Sequence, residues 1–420
     1  MGGRYMVRET ILMEGQIISG QTLNQVLDAV LEMGGDFEIE NLEIGKGRDD
    51  PSRATIQILA SDKAVLNRIL EKVSKQGATV LRQEEVRVAV ADRDGVFPDD
   101  FYSTTNLDTE IFHQGRWIPV KNIEMDCGIR YDEASGEAEC IPIIRVEKDD
   151  RIVVGREGIR VIPPQRPARK EIFSFMSSAV SSEKPKKLLI LQIAARMREL
   201  RENKGRIVFV CGPAIIHTGA SEQLCALVRN GYVQALLAGN ALATHDIEAA
   251  LFGTSLGISL EDGVAMEGGH RNHLRAINAI RRAGSIKQAV EQGILTRGVM
   301  FSCMVHNVPI VLAGSIRDDG PMPEVITDVM EAQDAMRHEA QRADMVLTIA
   351  TTLHSIAVGN VLPARVQTIC VDINHAVVTK LVDRGSFQAI GIVTDAESFV
   401  RELANELCPA TAAEKMRGRA

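Results

Sequence analysis

Residues 342–374 read RADMVLTIATTLHSIAVGNVLPARVQTICVDIN. Two apolar runs, 345–349 and 366–371, are rich in Val, Ile and Thr. Uninterrupted runs of this length suit strands covered on both faces, as in a parallel sheet. Each run ends where polar chemistry begins. The first breaks into Ala350-Thr351-Thr352-Leu353-His354-Ser355, whose hydroxyls and backbone N–H groups can meet a phosphate as a helix starts. The second ends in Asp372, with Asn374 close behind, and a carboxylate just past a strand can accept both hydroxyls of an adenosine ribose. Ligands of open α/β sheets sit beyond the carboxyl ends of the strands, so both clusters are expected in one crevice. The stretch reads as half of a dinucleotide site. A strand followed by an acid is common, and the signal is weaker than a full glycine fingerprint. The two segments in this order are what make it informative.

Around this stretch, alternating strands and helices are expected from residue 206 onward, the signature of a doubly wound α/β domain. Strands are expected at 207–211, 233–238, 308–313, 345–349, 367–371 and 389–393, with helices at 219–230, 244–252, 270–283 and 396–406. The strands run into small or polar loops: Gly212-Pro213-Ala214, Gly239-Asn240-Ala241, Gly314-Ser315-Ile316-Arg317-Asp318-Asp319-Gly320 and Thr394-Asp395. One such loop is ordinary; several on one sheet edge indicate a ligand. His270 and His273, three apart at a helix start, have a spacing that can hold a metal. No nearby Cys or second His pair supports zinc, and no metal is expected.

The first ninety residues read β-α-β-β-α-β, with strands at 10–18, 37–44 and 54–60, helices at 22–33 and 62–75, and Val80 with the 86–90 run closing the sheet. This is the order of the ferredoxin-like split βαβ arrangement. Short β-like pieces follow between polar turns, at 110–112, 117–120, 129–131, 140–146, 152–154 and 159–161, with Trp117 packed among them. Helices are expected at 171–180 and 187–201. The resulting organisation is a ferredoxin-like α+β module (1–93), a small β domain (94–168), a helical linker (169–204), an α/β domain (205–408) and a disordered tail (409–420).

With 420 residues the chain is long enough for two or three domains, each burying its own core. A net charge of −8 without a long basic tract, and only 4% aromatic residues, argue against a nucleic-acid binder. The seven cysteines form no C-x-x-C pair and read as buried thiols in a reducing compartment. No apolar run approaches the length of a membrane span, and a cytosolic protein is expected.

The ordered set of Met13-Glu14-Gly15-Gln16-Ile17-Ile18, Cys211-Gly212-Pro213-Ala214, Leu237-Ala238-Gly239-Asn240-Ala241 and Gly314 to Gly320 resembles the archaeal-type (LOR/SDH-type) ornithine cyclodeaminases. The resemblance runs from residue 10 to about 407. That family is also found as the C-terminal part of cyanobacterial arginine-degrading enzymes. The run 342–395, with Thr351-Thr352-Leu353-His354-Ser355, Cys370-Val371-Asp372-Ile373-Asn374 and Val393-Thr394-Asp395, resembles the NAD-binding domain shared in shape with deoxyhypusine synthase. The resemblance implies conversion of L-ornithine to L-proline and ammonia with bound NAD, through a redox-neutral hydride cycle. It implies cofactor contacts at Asn240, Ala241, Asp319, Thr351, Thr352, Leu353, His354, Asp372, Val393 and Thr394. Asp319 is expected as general base or as a cofactor hydrogen bond, His270 as a second acid–base group, and Arg271 or Arg317 as the ligand of the substrate carboxylate. Two other readings stay open: a lysine–oxoglutarate reductase/saccharopine dehydrogenase-type oxidoreductase, and a non-catalytic NAD or amino-acid sensor. A homodimer or homotetramer is expected.

Overall fold

The computed structural model describes residues 7–408 except 16, 19–21, 46–49, 75, 81–83, 163–185, 261–268, 319 and 384–388. The chain forms two compact units: Met1–Glu171 with Pro363–Arg365, and Ile172–Leu362 with Val366–Ala420. The helix expected at 171–180 and the tail from 409 lie outside the described residues.

In the first unit, β1 (Val7–Gly15), α1 (Thr22–Glu32), β2 (Asp36–Glu43), β3 (Ser52–Ala60), α2 (Lys63–Ser74) and β4 (Thr79–Val80) build a sheet of order β2-β3-β1-β4. β3 alternates: Ala54, Ile56, Ile58 and Ala60 are buried and pack with Val26 and Val30 of α1 and with Ile69 and Val73 of α2. Period-2 burial on the strand meets the apolar stripes of both helices, which is why both cover one face. Gly34, at φ +79°, ends α1 in the left-handed region that a Cβ disfavours. This is the expected ferredoxin-like arrangement, with one correction. The 86–90 run does not close this sheet: Arg87–Val90 (β5) pairs antiparallel with Arg151–Val154 of the second sheet.

The second sheet holds β5, β6 (Thr109–His113), β7 (Arg116–Lys121), β8 (Gly128–Asp132), β9 (Glu137–Ile141), β10 (Arg151–Val154) and β11 (Ile159–Val161), in the order β11-β6-β7-β9-β8-β10-β5. The strand expected at 140–146 ends at Ile141, because Pro142 lacks the N–H a ladder needs and a 3-10 turn, Ile143–Arg145, follows. Trp117 does pack within this sheet, with the Phe112 ring 5.2 Å away and the Arg160 guanidinium 4.2 Å over its own ring.

The second unit opens with α3 (Lys186–Glu202) and is built on a seven-stranded sheet. Its strands are β12 (Ile207–Cys211), β13 (Ala235–Gly239), β16 (Ile310–Ala313), β17 (Val325–Ile326), β18 (Met345–Ile349), β19 (Gln367–Asp372) and β20 (Ala389–Val393). A small hairpin, β14 (Thr254–Ser255) with β15 (Ile258–Ser259), stands apart. All pairings in the large sheet are parallel, in the order β17-β16-β13-β12-β18-β19-β20. The chain reverses its direction of winding between β12 and β18, the topological switch point of a doubly wound sheet. Ile207, Phe209 and Cys211 face one core, while Val208 and Val210 face another. Both faces of β12 are dry, which accounts for its unbroken apolar sequence.

The helices between the strands are α4 (Ala214–His217), α5 (Ser221–Arg229), α6 (Asn240–Phe252), α7 (Asn272–Ala283), α8 (Ile286–Glu291), α9 (Val299–Val305), α10 (Val329–Ala340), α11 (Thr352–Val361), α12 (His375–Asp383) and α13 (Ala396–Leu407). Three expectations need correction. The helix expected at 219–230 is α5, which starts only at Ser221 because Gly219, at φ +87°, separates it from the short α4 before it. The helix expected at 244–252 begins at Asn240, directly on Gly239, so Gly239-Asn240-Ala241 is a helix start and not a loop. The helix expected from residue 270 starts at Asn272, after a 3-10 turn over Gly269–Arg271.

Candidate functional site

Strand register puts the tips of the parallel strands at one level. Gly239 pairs with Ala313, Ala238 with Cys211, Cys211 with Ile349, Ile349 with Val371, and Asp372 with Val393. The segments beginning at Gly212, Asn240, Gly314, Ala350, Ile373 and Thr394 therefore leave a single edge. At the switch point the approach is very close. A Cβ built on Gly212 would stand 1.8 Å from the Ala350 carbonyl oxygen. The Gly212 N–H donates to the Ile349 carbonyl at 2.9 Å, and Ala350 itself adopts φ +52°. Only glycine fits here.

Of the longer helices that begin at this edge, α12 and α13 have first-turn N–H groups taken by Asn374 and Asp395, which leaves two. α11 has ten residues, and its N-cap, Thr351, makes no side-chain cap. α6 has thirteen, capped by Gly239, which has no side chain to offer. The first N–H groups of both helices thus carry no cap from a side chain, and such ends favour anions. Thr352 and Leu353 are exposed on the first turn of α11, Leu353 at 70%. His354 reaches across the sheet edge: a Cβ on Gly239 would meet its Cε1 at 2.9 Å. Burial depresses the His354 pKa, and the charge of Asp318 opposes that only in part, so the imidazole is neutral near pH 7.

Asp372 closes β19. One of its carboxylate oxygens accepts the Asn374 N–H at 2.8 Å, and its carbonyl accepts the Thr394 N–H at 3.1 Å. Its second carboxylate oxygen has no hydrogen bond among the described residues. Val393 and Thr394 are half-buried beside it, and the Lys186 ammonium donates to Thr394 Oγ1 at 3.4 Å. Asn240 is 4% exposed, and its Oδ1 accepts the Met322 N–H at 3.2 Å, tying the start of α6 to the segment before β17. Ala241, half-buried, follows it. Of the remaining expected residues, Arg271 and Arg317 are exposed. Asp319 and the side chain of His270 lie outside the described residues. Cys211 is fully buried and burial alone pushes its thiol far up, so it is no nucleophile.

One polar cluster escaped the sequence reading. Glu248 of α6 is fully buried, yet it accepts hydrogen bonds from His245 Nδ1 (2.9 Å), Thr254 Oγ1 (2.8 Å) and the backbone N–H groups of Gly257 (3.1 Å) and Leu256 (3.3 Å). Burial pushes its pKa up, but the bonds from His245, Gly257 and Thr254 outweigh it and hold the carboxylate ionised. The His245 ring meets the His217 ring edge-on at 4.7 Å, and His217 Nδ1 lies 2.6 Å from Ser255 Oγ. Asn272 Nδ2 donates to Thr254 Oγ1 at 3.0 Å. The available signal was His245 and Glu248 three apart on a helix, a spacing that brings side chains together.

Comparison with known proteins bears on what this edge is for. Residues 191–403 match a family model described as arginine dihydrolase ArgZ-like, C-terminal, Rossmann fold. Residues 108–190 match the first region of the same C-terminal part, and residues 8–107 match the LOR/SDH bifunctional enzyme conserved region. A protein of Methanothermobacter thermautotrophicus named ornithine cyclodeaminase is 53% identical over 396 residues, covering 94% of this chain and 96% of its own length. The apo structure of the cyanobacterial arginine dihydrolase ArgZ superposes with TM-score 0.82 at 40% identity, over 96% of this chain but 58% of ArgZ. AgrE, named in Nostoc as a bifunctional arginine dihydrolase/ornithine cyclodeaminase, has a ternary complex with ornithine and NAD+. That structure superposes with TM-score 0.52 at 40% identity, covering 99% of this chain and 59% of AgrE.

Proposed function

The chain belongs to the family of archaeal ornithine cyclodeaminases and ArgZ-like C-terminal regions, and on that premise we propose that it converts L-ornithine to L-proline and ammonia with NAD held at the edge of its parallel sheet. The observation that carries the cofactor assignment is the contact of Gly212 with Ala350, which brings two backbone segments together at the switch point between two helix N-termini.

The donors and acceptors present suit a dinucleotide. The uncapped N–H groups at the starts of α11 and α6 would take its phosphates. Asp372, with one carboxylate oxygen held by Asn374, would offer the other to ribose hydroxyls. Thr351, Thr352 and Leu353 would line the phosphates, with Val393 and Thr394 beside the ribose, while Asn240 and Ala241 would shape the opposite wall. His354, neutral, would add a hydrogen-bonding group without a competing charge. The AgrE complex with ornithine and NAD+ supports this reading.

When bound, NAD supplies a hydride acceptor that can give the same hydride back, so the overall reaction involves no net oxidation. The protein must do the rest: orient the substrate Cα, exclude water and move protons. Holding the δ-nitrogen of ornithine against the carbon it attacks converts a collision into ring closure, an effect that reaches roughly 7–11 kcal/mol at best. The test is incubation with L-ornithine and substoichiometric NAD+. Proline and ammonia should appear in equal amounts, far exceeding the NAD+ added and without net NADH. NADH formed only from saccharopine would move the assignment to a saccharopine dehydrogenase, and tight NAD binding without product would make the protein a sensor.

A further inference from the structure

The Glu248–His245–His217 cluster has the parts of an acid–base device and no role in the cofactor site. It lies on elements that spring from the same sheet edge: α4 begins three residues past Cys211, and α6 begins at the tip of β13. Glu248 has no direct solvent contact, and every group bonded to it is a donor: an imidazole, a hydroxyl and two backbone N–H groups. A carboxylate held by four donors cannot swing. Its bond to Nδ1 therefore sets both the tautomer and the orientation of His245, as an acid behind an imidazole does in hydrolytic triads. His245 keeps 12% of its side-chain surface exposed, and its Nε2 has no hydrogen bond among the described residues. His217 braces the ring edge-on and is itself held by Ser255.

Resting on the ornithine reading above, the geometry points to His245 as the group that exchanges a proton with the substrate α-nitrogen, with Glu248 and His217 as positioning residues. The neutral imidazole takes a proton from the α-ammonium at Nε2. The electron pair left on nitrogen forms the C=N bond as the Cα–H bond breaks and its hydride passes to the nicotinamide. The δ-ammonium releases one proton to solvent and its freed pair attacks that carbon. Once the ring nitrogen so formed has released a second proton, the imidazolium returns its own to the α-nitrogen as the α-nitrogen's C–N bond breaks. That bond's electron pair leaves with ammonia, and the ring nitrogen's pair forms the cyclic C=N that accepts the hydride. The titratable groups facing His245 are Glu248 from its own helix and His217 from α4. From α7, Asn272 reaches the cluster through Thr254, and Arg275 stands behind Asn272 Oδ1 at 3.0 Å.

The test compares wild type with His245→Gln and Glu248→Gln across pH 5.5–9.5, reading kcat, KM, NAD binding and the isotope effect of Cα-deuterated ornithine. His245→Gln should lower kcat by about 100-fold or more, flatten the acid limb of the kcat profile and leave NAD affinity unchanged. Glu248→Gln should lower kcat less while leaving KM and NAD affinity unchanged, because the imidazole loses the acceptor that fixes its tautomer and orientation. A His245→Gln enzyme with wild-type kcat and pH profile overturns the inference. So does early melting with loss of NAD binding in His245→Gln, if Glu248→Gln keeps the wild-type profile, because the cluster then serves folding. Wild type that makes no proline refutes the ornithine reading itself, whatever the variants do.

Discussion

The carbonyl oxygen of Ala350 occupies the space that any side chain at position 212 would need: a Cβ there would lie 1.8 Å from it. Gly212 and Ala350 follow the two central strands, and the approach of their backbones forms the floor on which the proposed dinucleotide rests. Ala350 adopts φ +52° to make that approach.

Gly212→Ala must push this floor apart. It is expected to cost about 1–3 kcal/mol, the range for forcing atoms into a filled space, and to weaken NAD binding beyond what that loss alone explains. Ala350→Gly should do the reverse for stability, gaining up to about 1 kcal/mol as a left-handed residue loses its Cβ. Urea denaturation with and without NAD reads both. Equal stability of Gly212→Ala and wild type would mean that the two segments do not touch in solution.

Asp372 separates binding from folding. It is half-buried, and among the described residues its side chain makes one bond, to the Asn374 N–H. Asp372→Ala should therefore change stability little but reduce NAD affinity about 10–100-fold, the effect of losing a charged hydrogen-bond acceptor worth about 1.5–3 kcal/mol. Calorimetric titration with NAD measures it. Unchanged affinity would remove Asp372 from the ribose.

Asp246 gives a pH signature. Its carboxylate is 1% exposed and accepts the Val299 and Met300 N–H groups at 2.8 Å each, at the start of α9. Burial pushes its pKa up to about 6 from the ordinary 3.8, against the pull of those two bonds. Between these values the folded state holds a proton that the unfolded state has released. The Asp246 contribution to stability is therefore full below pH 3.8 and falls as pH rises to about 6, by on the order of 3 kcal/mol at 1.36 kcal/mol per unit. Asp246→Asn should remove that slope from a series of urea melts between pH 4 and 6.5. A slope unchanged by the substitution would place its origin elsewhere.

The sheet was legible because β12 and β18 are buried on both faces along their whole length; their observed bounds, and those of β20, are the expected ones. Where burial is one-sided or brief, the signal fades. β17 has two residues, and α9 is set by the buried Asp246 cap rather than by any local pattern. The 86–90 run carries the same apolar content in either sheet, and only pairing with β10 decides where it goes. At the site, Asp372 and His354 were readable because one ends an apolar strand and the other lies in the first turn of the helix that follows one. His217 and His245 were not, because they meet through the fold from helices 23 residues apart at their closest ends. Asp319 lies outside the described residues, and His245 is the proposed acid–base group.

The central claim is that a hydride leaves ornithine Cα and returns to the same carbon within one active site. Turnover of L-ornithine deuterated at Cα, with unlabelled NAD+ in trace amount, tests it by mass spectrometry of the proline formed. Proline carrying the deuterium at Cα, with one ammonia per proline and no net NADH, is the predicted result. Proline whose Cα deuterium has been lost to solvent would contradict the hydride cycle.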